Sequence, residues 1–139
     1  MLNKFIIFFF LITFSHNMVF AVEAEKEKAA VHASEKWLQL IDNGKYDQSW
    51  DEAALFFKNA VIKEQWNHSL NSARKPLGKL ISRKVNTTTY RTSLPGALDG
   101  EYVVIQFNAI YENKKSATET VTLMLEKDGK WRVSGYYIK

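Results

Sequence analysis

Apolar positions recur along the first half of this chain at helical spacing. From Glu23 the stretch "EAEKEKAAVHASEKWLQLIDNG" opens with alternating charges, then sets Ala30, Ala33, Trp37, Leu40 and Ile41 at steps of three and four. That spacing predicts an amphipathic helix, and Gly44 predicts its end, since a helix commonly stops at a residue tolerating positive φ. "KYDQSWDEAALFF" continues with Tyr46 and Trp50 four apart, followed by Ala53, Ala54 and Phe57, which predicts a second short helix. A third carries Ile62, Trp66, Leu70 and Ala73 on one face and stops before Pro76.

The second half changes to a period of two. Leu80 to Tyr90, Glu101 to Tyr111, Ser116 to Glu126 and Lys130 to Lys139 alternate between apolar and polar residues, and turn signals at Glu112 to Lys115 and at "KDGK" make the last three a meander. Parity places Val103, Ile105, Phe107, Ala109 and Tyr111 on one face, with Val121, Leu123 and Leu125, and with Trp131, Val133 and Tyr137. Helices followed by strands predict an α+β fold in which N-terminal helices pack on a curved four-stranded antiparallel sheet, with Trp131 and Val133 against the first helix. Tyr102, Val104, Ile110, Met124, Tyr136 and Ile138 share the opposite parity, among Thr118, Thr120 and Thr122. A sheet covered on one side is normally polar on the other, so this patch predicts either a homodimer contact or a cover from the chain's own loop "TSLPGALDG".

The N-terminus follows another pattern. Lys4 precedes the apolar run "FIIFFFLITF", and Val19 and Ala21 stand at the −3 and −1 positions of a cleavage site. Ser15, His16 and Asn17 break that run well short of the ~20 residues a bilayer needs. Residues 1–21 are therefore expected to be a signal peptide, residues 22–139 a single exported domain, and no membrane span to remain after cleavage. All four tryptophans and all six tyrosines lie in that domain. With 0 cysteines the chain holds no disulfide, thiolate metal site or cysteine nucleophile, which suits a periplasm. The formal charge is a mild +4, but no acid occurs between Glu64 and Asp99, where Arg74, Lys75, Lys79, Arg83, Lys84 and Arg91 do. This run predicts a solvated face with a charge-protected edge strand, or attraction to an anionic envelope component, with nucleic acid less suited.

Candidate chemistry is sparse. Past residue 21 only His32 and His68 remain, without a helical partner at four residues, so no metal or other cofactor is expected. No phosphate loop or nucleophile elbow occurs. Glu119 is the strand acid that shares parity with a core run, and its place near a strand end predicts that twist turns it to solvent. Trp50 and Trp66, from adjacent helices, predict the walls of a cleft with Tyr46 and Glu119 nearby and Arg74 at its edge to orient a small ligand.

Four blocks in order, "DNGKYDQSW", "RKPLG", "LPGALDGEYVVIQF" and "ATETVTLMLEKDGKWRVSGYYI", resemble the bacterial exported family called domain of unknown function 4019. The architecture is similar to the cystatin-like cone of nuclear transport factor two and ketosteroid isomerase, a superfold that hosts enzymes, binding modules and dimerisation domains alike. Two function classes follow: a non-catalytic binding or interaction module of the bacterial cell envelope, and an isomerase- or hydrolase-like enzyme using Glu119 or a tyrosine. A buried Glu119 facing an open cavity favours the enzyme; a filled cone with Glu119 in water favours the module.

Overall fold

The computed structural model describes residues 10–139, with side chains from His16 onward. The first half of the apolar run of the expected signal peptide thus lies outside the described residues, and of its second half only the backbone is described. Helix α1 spans Phe10–Asp42, α2 Tyr46–Asp51, α3 Leu55–Ala60 and α4 Lys63–Arg74; a short 3-10 turn, Lys75–Leu77, leads into β1 Leu80–Arg91, β2 Tyr102–Tyr111, β3 Lys114–Leu125 and β4 Trp131–Ile138. The strands form one antiparallel sheet in the order β1-β2-β3-β4. The fold is α+β, as the pattern predicts. Among the described residues no helix is long and apolar enough to cross a membrane.

Helix α1 begins earlier than Glu23; among its described side chains Ala30 is the first that is buried, and Trp37, Leu38 and Ile41 follow on the face toward the sheet. It ends as expected. Gly44 takes φ 71°, its N–H donates to the Ile41 carbonyl, and the Lys45 N–H donates to that of Leu40, the paired bonds of a Schellman C-cap. The single second helix expected from "KYDQSWDEAALFF" is two short ones, α2 and α3. Its backbone breaks at Ala54, whose N–H donates to the Val133 carbonyl at 2.8 Å and so closes part of the free edge of β4.

The core joins Trp37, Leu38, Ile41, Phe57, Trp66 and Leu70 from the helices to Val103, Ile105, Phe107, Val121, Leu123 and Val133 from the sheet. Buried Ser49 ties the helices together: its backbone carbonyl accepts from Trp37 Nε1 at 2.8 Å and its hydroxyl from Trp66 Nε1 at 2.9 Å.

In β4 the parity reading fails, for a definite reason. Leu123 pairs with Val133 but Thr122 pairs with Gly135, so Ser134 is an extra residue, a β-bulge. One inserted residue exchanges the two faces of everything beyond it. Tyr136 and Ile138 consequently face the helices, opposite inward Val121 and Glu119, and Tyr137 faces outward, half-exposed. Tyr102 does point outward but is only 1% exposed, because the loop between β1 and β2 folds over it and the Leu98 carbonyl accepts its hydroxyl at 2.5 Å. Of the outer patch Tyr102, Val104, Ile110, Met124, Tyr136 and Ile138, only Val104, Ile110 and Met124 keep exposure on that face.

Candidate functional site

At the end of the sheet where α1 and α4 finish, four charged side chains meet beneath the helices. Asp42 is the last residue of α1, Arg74 the last of α4; Arg83 lies on β1 opposite Ala109, and Glu119 on β3 opposite Phe107. The small inward residues Ala109 and Ala117 face each other across β2 and β3 and leave room for long side chains. Glu119 is 0% exposed, so the expectation that twist carries it to solvent is corrected: the register at Phe107 keeps it on the inner face.

The geometry is that of a closed network. Arg83 donates from Nε to Glu119 Oε1 at 2.7 Å, from Nη1 to Asp42 Oδ2 at 2.7 Å and from Nη2 to Asp42 Oδ1 at 2.9 Å. Arg74 donates from Nη2 to Asp42 Oδ1 at 2.7 Å, and its Nη1 lies 3.6 Å from Glu119 Oε2. Tyr136 closes the ring by donating its hydroxyl to Glu119 Oε2 at 2.7 Å, while the Arg74 guanidinium sits 4.9 Å from the centre of the Tyr111 ring. Two guanidiniums against two carboxylates leave no net charge, and both oxygens of each acid are occupied.

Protonation follows from these contacts. Burial acts to raise the Asp42 carboxyl, but hydrogen bonds and charge from Arg83 and Arg74 outweigh it and hold the group below its ordinary value. Burial, reinforced by the Glu119 charge, pushes the Tyr136 and Tyr111 hydroxyls up, so both remain protonated donors. The sign for stability is that of a depressed acid. The contribution of Asp42 is complete above the unfolded value near 3.8 and is lost as pH falls below it toward the folded value. Acid titration followed by circular dichroism should therefore show stability falling below that pH, with a flatter profile for Asp42→Asn over the same range.

All six residues of this network lie within one matched segment. Residues 33–136 match the family described as protein of unknown function DUF4019, well over half of the chain. The chain belongs to the DUF4019 family. No curated protein matches it.

The expected cleft residues of this DUF4019 domain do not come together. Trp66 is buried in the core, with ring centres 5.0 Å from Phe57 and 6.0 Å from Trp37. Trp50 is half-buried at the surface, donating Nε1 to the Val61 carbonyl, with the ammonium groups of Lys58 and Lys63 over its ring. Tyr46 lines a shallow polar depression with Asp47, Asn67 and Asn71. Arg74 and Glu119 do meet, as an ion pair rather than as the rim of a cleft. Arg83 was expected on a solvated face, yet it and Arg74 are the two cations of the run that turn inward, with side chains 11% and 6% exposed. Parity marks Tyr111 as an inward residue of β2 but not as a partner of these charges, and Asp42 carries no signal in its immediate spacing. The one available clue is that an acid at a helix C-terminus opposes the helix dipole and so requires a cationic partner. Among the described residues no group of three or more histidines or acids is placed to hold a metal ion.

Proposed function

We propose that this DUF4019 domain is a non-catalytic binding module of the bacterial cell envelope, delivered there by residues 1–21 as a signal peptide. The observation that carries the non-catalytic reading is the closed network of Asp42, Arg74, Arg83 and Glu119. A general base needs a carboxylate free to take a proton from a substrate. Here Glu119 is buried, as an enzyme would have it, but its two oxygens face Arg83, Tyr136 and Arg74 rather than an open cavity.

Export is supported by the sequence pattern, and loss of the described residues 16–21 is compatible with the packing. Residues 16–22 are exposed, and the described side chains of α1 that bond toward the sheet side include Lys26, which pairs with Glu101, and Glu27, whose carboxylate accepts the Tyr90 N–H. Fractionation followed by N-terminal sequencing should find the mature protein outside the cytoplasm and starting at Val22; a cytoplasmic protein beginning at Met1 would contradict export. The non-catalytic half is tested by incubating the purified domain with a periplasmic metabolite extract. Some component should raise the melting temperature while every component is recovered unchanged. Conversion of any component by wild type and not by Glu119→Gln would overturn the reading.

A further inference from the structure

Away from the ion network, a groove of about 410 Å³ opens between α1 and β4 where the end of α2 meets them. That volume is within the roughly 300–1,000 Å³ of sites that hold small molecules. Buried Trp37, Leu123 and Val133 line it together with half-buried Trp131, and Ala33 contributes only a methyl group from α1. Its walls are fixed, since Val133 accepts the Ala54 N–H and Trp37 is tied to Ser49.

The polar groups around this floor are unequal. Asp51 is paired with Lys63 at 2.6 Å, Glu52 accepts from Gln48 at 2.9 Å, and Arg132 is held by Asp128 and Glu126. The indole N–H groups of Trp37, Trp50 and Trp66 each donate to a protein oxygen. Three lining groups make no hydrogen bond or ion pair among the described residues: the exposed ammoniums of Lys36 and Lys130, the latter acting on Asp128 only through its charge, and the indole N–H of Trp131. All three donate hydrogen bonds and none accepts, and two carry positive charge.

We propose that this groove binds a small aromatic anion, its planar ring against Trp131 and the aliphatic floor and its carboxylate toward Lys36, Lys130 and the Trp131 N–H. A bare inorganic anion leaves the aromatic floor unused, and the charges of the lining without an ion-pair partner are two ammoniums against the single Glu52 carboxylate, a balance that favours an anion over a cation. The assignment rests on the reading of the domain as a binding module and names its ligand class.

The test uses a pair of probes of nearly the same shape, 2-naphthoate and neutral 2-naphthamide, titrated calorimetrically into the purified protein, with inorganic phosphate as a third arm. Saturable one-to-one binding of naphthoate is expected below roughly 1 mM, with naphthamide and phosphate each at least about tenfold weaker. Lys36→Glu combined with Lys130→Glu should weaken naphthoate about tenfold without moving the melting temperature by more than a degree or two, because both side chains are exposed. Trp131→Phe, which keeps a ring and deletes the N–H, should weaken it severalfold. Absence of saturation at that concentration overturns the site and leaves the module reading standing, as does equal binding of both probes or indifference to the lysine reversals. Chemical conversion of bound naphthoate would instead support the site and overturn the module reading.

Discussion

Replacing Arg83 by methionine is expected to lower the unfolding free energy by about 3–5 kcal/mol, the usual cost of removing one partner from a buried ion pair. Methionine retains most of the aliphatic volume, so the loss reports charge and hydrogen bonding rather than a cavity. Without the guanidinium, Asp42 keeps only Arg74, and Glu119 keeps the Tyr136 hydroxyl and an Arg74 nitrogen 3.6 Å away, in a place with 0% exposure. An unpaired charge there is not repaid by water. Arg83→Lys should lose less but not recover wild-type stability, because one ammonium cannot reproduce the fork that reaches Glu119 through Nε and Asp42 through both terminal nitrogens. Urea denaturation of both variants measures the difference. A loss of this size is a large part of the roughly 5–15 kcal/mol that holds a domain folded.

Trp37→Ala should be comparably severe, about 3–5 kcal/mol. The indole is 4% exposed and stands between Trp66, at 6.0 Å between ring centres, and Tyr136, at 5.5 Å. Its removal leaves a cavity at the crossing of α1 and the sheet and strips the Ser49 carbonyl of its indole donor. Trp131→Ala should cost distinctly less, because that ring packs against the core with one side open to the groove. Thermal melts of the two variants should rank in that order, with the near-ultraviolet signal collapsing only for Trp37→Ala.

The sequence carried the architecture in its periodicity. Steps of three and four marked the inner face of α1, alternation marked β2 and β3, and Gly44 marked a real C-cap. Where the parity reading of β4 failed, a single residue was responsible. Ser134 is chemically unremarkable in its strand, yet as the extra residue of a bulge it reverses Tyr136, Tyr137 and Ile138, and no alternation count detects it. That reversal brings a tyrosine hydroxyl to Glu119 and removes two residues from the outer patch. The inward parity of Glu119 was legible; its partners were not, because Arg83 sits on a strand with two register shifts of its own and Arg74 and Asp42 are brought in by helix ends. Within a run of six cations, burial distinguished two, and burial is a property of the assembled sheet rather than of the run.

Asp42, Arg74, Arg83 and Glu119 form a closed network, and the proposed non-catalytic role rests on that network holding the fold together. A double-mutant cycle on Arg83→Met and Glu119→Leu, followed by chemical denaturation, tests it most directly. The single variants should each lose about 3 kcal/mol or more, and the double variant should be more stable than their sum by about 1–3 kcal/mol, since removing both partners leaves fewer stranded charges than removing either. Single losses under about 1 kcal/mol, adding without coupling, would contradict the account and leave a buried acid held at no benefit to the fold.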